Sequence, residues 1–300
     1  MKKIFLLLAV MLCGASAFAA VSAEDISGAL QQLKIQHSAN AHRQGVIPIQ
    51  ITVGAVVESD YADVDPLVKE CPVVRISSHY LMGSWACVGL SEQATIRHYG
   101  GAGGGDYYTY PNVHRWIENA IINGQVVSKD QIFSSKENKI FLIRIDPDNA
   151  ALKKAIQNKP AVNIFAPKDP QVLTNQFSNV QLNRERLCTS GRTCAEVEIA
   201  TVCTETGCFR LAWKMIDGDS GDPIFGLLPD RSTEEFLLGF NITDVIGKHS
   251  ADERRSGRNY SFFDRAKLES FLRSVMEEES ASDWKQVQNK LVSEDYFLNN

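Results

Sequence analysis

Gly218-Asp219-Ser220-Gly221-Asp222-Pro223 is set between two apolar runs of strand length, Phe209–Met215 and Ile224–Leu228. Glycines on both sides of a serine free the backbone for a tight turn that presents the hydroxyl, because glycine adopts positive φ without a steric penalty. The amides of Gly218 and Ser220 then point to one side of the turn, the arrangement that makes an oxyanion hole. Taken alone, such a turn is as readily structural as functional.

Around this segment the chain alternates short apolar runs with turn residues. Ile47–Val57, Val73–Ser77, Lys139–Ile145, Val197–Val202 and Phe236–Ile242 read as strands. Helical spacing occurs at Ala150–Gln157 and Asp264–Glu278, the second placing Leu268, Phe271, Leu272 and Val275 near one face. Strands through most of the chain and a terminal helix predict an all-β fold. The acidic Glu277–Glu279 and the amphipathic tail Trp284–Phe297 are expected to dock on the body or on a partner.

The 300 residues are 44% hydrophobic and 22% charged, with net charge −5, which excludes collagen-like and disordered chains and argues against nucleic acid as a partner. Lys2 and Lys3, the apolar run Ile4–Leu12 and Ala17-Phe18-Ala19 read as a secretory signal peptide cut after Ala19. No other apolar stretch is long enough to span a membrane. The expectation is a secreted or periplasmic protein, with Cys13 lost alongside the signal.

Cys71, Cys87, Cys188, Cys194, Cys203 and Cys208 remain, and an oxidising compartment favours disulfides. A metal site is the weaker reading, since the spacing lacks paired C-x-x-C motifs and no histidine lies close to the cluster. Local closure of Cys71 with Cys87 is the first expectation. Cys203 with Cys208 across Thr204–Gly207, leaving Cys188 with Cys194, is one option among several. The Gly100–Gly105 tract lacks the Lys-Ser or Lys-Thr of a phosphate loop and reads as a flexible surface loop. No cofactor is expected.

The string Gly218–Pro223 resembles the G-D-S-G-G-P nucleophile motif of the trypsin/chymotrypsin family of serine proteases, departing from it at Asp222. Cys71–Cys87, C-P-V-V-R-I-S-S-H-Y-L-M-G-S-W-A-C, is similar to the family segment that ends in the catalytic His and a Cys, with the same interval between cysteines. Asn138–Ile145 resembles the strand carrying the catalytic Asp. Leu237-Leu238-Gly239-Phe240 resembles the strand behind the substrate pocket, and Asn259–Leu272 the closing strand and helix. The resemblance implies two antiparallel six-stranded β-barrels with a C-terminal helix. The expected boundaries are a signal at 1–19, an extension at 20–43, barrels at 44–146 and 160–262, a linker at 147–159, and a helix and tail at 263–300.

The same resemblance locates what is missing. Ser220 stands in the nucleophile position, but Ala86 occupies the His position and Lys139 the Asp position. Serine is a poor nucleophile without a base to take its proton and a carboxylate to orient that base. Trp85 replaces a small residue beside the His, and its bulk is expected in the vacated space. Lys214, Thr243 and Asp244 fall where the family lines its specificity pocket. Asp219 matches the Asp that pairs with a freed N-terminal ammonium, yet no matching activation string precedes it; the nearest cleavage candidate is Lys34-Ile35-Gln36. The expectation is a non-catalytic homologue that binds a protein or peptide. The alternative is an active endopeptidase in which a shifted register makes His79 the base.

Overall fold

The computed structural model describes residues 46–57, 63–89, 94–100, 104–110, 113–173, 179–182, 199–203, 208–211, 221–228, 231–242, 259–277 and 279–298. All of them belong to one compact unit, Ser38–Asn300. The expected signal peptide and the whole of the expected extension lie outside the described residues.

The first half is a nearly closed seven-stranded antiparallel barrel. Its strands are β1 (Val46–Val57), β2 (Asp63–Arg75), β3 (Tyr80–Ser84), and, beyond the separate hairpin β4 (Ala94–Gly100) and β5 (Gly104–Tyr110), β6 (Val113–Ile122), β7 (Gln125–Ser128), β8 (Ile132–Ser135) and β9 (Ile140–Arg144). They run in the order β7-β6-β1-β2-β3-β9-β8, and a single 3-10 turn, Lys129–Gln131, joins the two edge strands. In β1 the residues Ile47, Ile49, Ile51 and Val53 are buried while Pro48 and Gln50 are exposed, the period of two that a half-buried strand requires. β3 and β9 instead bury both faces. Leu81, Phe141 and Ile143 enter the barrel core, whereas Tyr80, Met82, Ile140 and Leu142 face a second core shared with the C-terminal half. This two-sided burial explains their near-continuous apolar sequence.

Cys71 and Cys87 form a disulfide with a Cα separation of 6.0 Å, tying β2 to the turn after β3. The glycine tract differs from a plain loop: Gly100 pairs with Gly104 at the tip of the β4–β5 hairpin. The linker folds into helix α1 (Ala150–Gln157), capped by Asn149, whose Oδ1 accepts from the Leu152 amide at 3.0 Å. Leu152 and Ile156 enter the barrel core, and the Arg75 guanidinium donates to the Ile156, Gln157 and Lys159 carbonyls at the helix end.

In the second half the strands are β10 (Asn163–Phe165), β11 (Asn179–Leu182), β12 (Ile199–Cys203), β13 (Cys208–Leu211), β14 (Pro223–Leu228), β15 (Arg231–Phe240) and β16 (Asn259–Ser261), followed by α2 (Arg265–Met276), α3 (Ala281–Lys290), β17 (Leu291–Val292) and α4 (Asp295–Leu298). The described strands make a five-stranded sheet, β11-β14-β15-β10-β17, and a three-stranded antiparallel sheet, β12-β13-β16. β10 runs parallel to both β15 and β17, which departs from the purely antiparallel expectation. β17 follows directly on α3, whereas between β10 and β15 the chain passes through β11, β12, β13 and β14. The C-terminus also holds more than the single expected helix. Asp264 caps α2 by accepting from the Lys267 amide, and the tail then supplies α3, whose Trp284 and Val287 are buried in the shared core.

Candidate functional site

Lys139 closes the turn between β8 and β9 in the left-handed conformation, with φ of 56°. Such a conformation costs a non-glycine residue roughly 1–2 kcal/mol. The Lys139 amide donates to the Lys136 carbonyl at 3.2 Å, and Ser135 Oγ accepts from the Asn138 amide at 3.2 Å. This turn aims the Lys139 carbonyl at the next segment, where it accepts from the Trp85 amide at 2.8 Å. Trp85, Ala86 and Cys87 form a 3-10 turn after β3, opened by Ser84, whose Oγ accepts from the Ala86 amide at 3.1 Å. Ala86 is thereby fixed beside Lys139.

Gly221 joins them from the other half. Its φ is 100°, and a Cβ placed on it would lie 3.1 Å from the Cβ of Cys87 and 3.3 Å from its Sγ. The Gly221 amide donates to the Asn241 carbonyl at 2.8 Å, and the Asn241 amide donates to the Asp222 carbonyl at 2.8 Å. The segment after Ser220 is therefore clamped between the end of β15 and the Cys71–Cys87 disulfide. Ala86, Cys208 and Ile242 pack as a small buried cluster next to it. Trp85 does not fill that space; its indole belongs to the barrel core, so the two neighbours point opposite ways.

Burial pushes the Lys139 ammonium below the usual lysine range, while Cys208, within electrostatic reach, acts in the opposite sense. No imidazole or carboxylate is contributed by the Ala86 and Lys139 positions themselves. Ser220, Gly218, Lys214, Thr243, Asp244, Cys188 and Cys194 lie outside the described residues. Cys203 and Cys208 stand directly opposite each other in the β12–β13 register.

His79 lies elsewhere. It precedes β3, whereas Ala86 follows it, and a five-residue strand at about 3.3 Å per residue keeps the two well over 10 Å apart along the chain. The His79 Nδ1 is 2.9 Å from Asp283 Oδ2, and the His79 amide donates to Asp283 Oδ1 at 3.2 Å. Ser280 Oγ donates to Asp283 Oδ2 at 2.5 Å, and Ser78 donates through its amide and hydroxyl to Gln286 Oε1. These contacts dock the turn before β3 on the start of α3. Asp283 escaped the sequence reading, although Ser280-x-x-Asp283 ahead of Trp284 is a helix-start signature.

The buried Asp283 carboxyl is pushed up by desolvation, but hydrogen bonds from Ser280, His79 and Ser77 outweigh this and hold it below the usual aspartate range. A depressed carboxyl stabilises the fold above its unfolded pKa of about 3.9 and loses that contribution as pH falls through the folded value. Asp283→Asn is therefore expected to melt several degrees below wild type at pH 7. The gap should close below about pH 4 in parallel thermal melts.

Among the described residues no group of three or more His, Cys, Asp or Glu side chains is placed to hold a metal ion. No described helix is long and apolar enough to cross a membrane. In comparisons with known proteins, neither a family model nor a curated protein matches the chain.

Proposed function

We propose that this chain is an exported homologue of the trypsin/chymotrypsin family that has lost catalysis and acts as a protein or peptide binding module. The observation that carries the reading is the meeting of Ala86, Lys139 and Gly221. They come together from three separate segments through the Trp85–Lys139 hydrogen bond and the Cys87–Gly221 contact. The family resemblance assigns these positions to the catalytic His, the catalytic Asp and the residue after the nucleophile. A methyl group cannot accept a proton from Ser220, and an ammonium in the Asp position would repel an imidazolium. Loss of the base alone costs on the order of 10⁶ in turnover in such enzymes. In this reading Gly218 and Ser220 keep an oxyanion-type turn, and Lys214, Thr243 and Asp244 shape a pocket for the ligand. The second half is then a variant of the second six-stranded barrel.

The Cys71–Cys87 disulfide supports placement in an oxidising compartment, secreted or periplasmic. Against the alternative of an active endopeptidase with His79 as base stands the position of His79, committed to Asp283 at the far end of β3. Casein digestion tests the reading, using the chain intact and after trial cleavage near Lys34. The expected rate equals that of Ser220→Ala; proteolysis that depends on Ser220 overturns it.

A further inference from the structure

Cys203 and Cys208 end the paired part of the β12–β13 hairpin as direct register partners, separated in sequence only by Thr204–Gly207. Directly opposed residues of an antiparallel pair have Cα atoms about 4.5 or 5.5 Å apart, depending on the hydrogen-bonding site. Both values fall inside the range of about 4.4–6.8 Å that a disulfide accepts. Cys208 is 5% exposed and packs against Ala86 and Ile242, so this hairpin end forms part of the candidate site. The Lys139 ammonium lies within electrostatic reach of it.

We propose that Cys203 and Cys208 are a redox-active cross-strand pair, closed by thiol–disulfide exchange with a small-molecule or protein disulfide, which locks the β12–β13 wall beside Ala86. One thiolate of the pair attacks a sulfur of the donor disulfide, breaking its S–S bond, forming a mixed disulfide and releasing one donor thiolate. The second protein thiolate then attacks the mixed disulfide and expels the other. The donor is reduced to two thiols that take up the two protons, and the protein dithiol is oxidised. The pairing goes beyond the binding-module reading and stands on the strand register, whatever the cleft binds.

Differential alkylation and peptide mapping of the full chain test it. Protein reduced with dithiothreitol is compared with the same protein after oxidised glutathione, with open thiols blocked before digestion. The expected result is a linked peptide joining Cys203 to Cys208 only in the oxidised sample. Oxidation should also raise the melting temperature by about 5 °C, an increment absent from both Cys203→Ser and Cys208→Ser. Linkage of Cys208 to Cys188 or Cys194 overturns the proposal, as does full alkylation of Cys203 and Cys208 after oxidation. Neither result bears on whether Ser220 is catalytically inert, which the casein assay reads separately.

Discussion

Gly239→Ala is expected to lose on the order of 4 kcal/mol of stability, enough to lower the melting temperature by about 10 °C or more. A Cβ at this position would sit 1.7 Å from the Ser261 carbonyl oxygen and 2.7 Å from its carbon. The obstacle is backbone, so no rotamer change relieves it. β16 approaches this closely because Ser261 ties itself to the neighbouring residue: the Phe240 amide donates to Ser261 Oγ at 3.2 Å, and that hydroxyl lies 3.3 Å from the Phe240 carbonyl. Displacing β16 would also disturb its pairing with β13, where Tyr260 opposes Phe209 and the two rings stack at 5.5 Å. Thermal melts of the variant decide the matter. A midpoint within about 2 °C of wild type would mean that the strands do not meet as described.

Truncation before Ser280 is expected to be more damaging still. The removed segment contributes Trp284, Val287 and Leu291 to the core shared by the barrel and the second sheet, each no more than 6% exposed. At about 1.5–3 kcal/mol per buried large apolar side chain, these three account for about 4.5–9 kcal/mol, an upper estimate. Whole domains of this kind are stable by only about 5–15 kcal/mol. The truncation also strips β17 from β10, including the hydrogen bond from the Ala166 amide to the Val292 carbonyl at 2.9 Å. It removes Asp283 from the His79 turn as well. The shortened chain should show no cooperative unfolding transition, and Trp284→Ala in the full chain should lose about 3–5 kcal/mol. A truncated protein that melts like the full one would show that the tail is dispensable.

What could be read from the sequence depended on how local its cause was. The alternation Ile47, Ile49, Ile51, Val53 announces β1, since one face meets the core and the other meets solvent. Asp264 announces α2 because a cap and its amide are three residues apart. The Cys71–Cys87 disulfide was legible too, because its two cysteines are close in sequence and close a local loop. β10 and β17 carried no comparable signal. They are three and two residues long, too short for any periodicity, and their parallel partners are fixed only by tertiary packing. The His79–Asp283 contact joins residues 204 apart, so neither residue reveals it alone. Trp85 was misplaced because sequence position does not say which way a side chain leaves a 3-10 turn. Its placement in the barrel core leaves Ala86 facing Cys208 and Ile242.

In the proposed reading, the site holding Ala86 and Lys139 supplies no base to Ser220. Labelling by a fluorophosphonate probe tests it most directly, because the probe reads nucleophile activation without requiring a known substrate. No modification of Ser220 above the background of Ser220→Ala is expected, before or after cleavage near Lys34. Stoichiometric labelling of Ser220 that disappears in Ser220→Ala would contradict it.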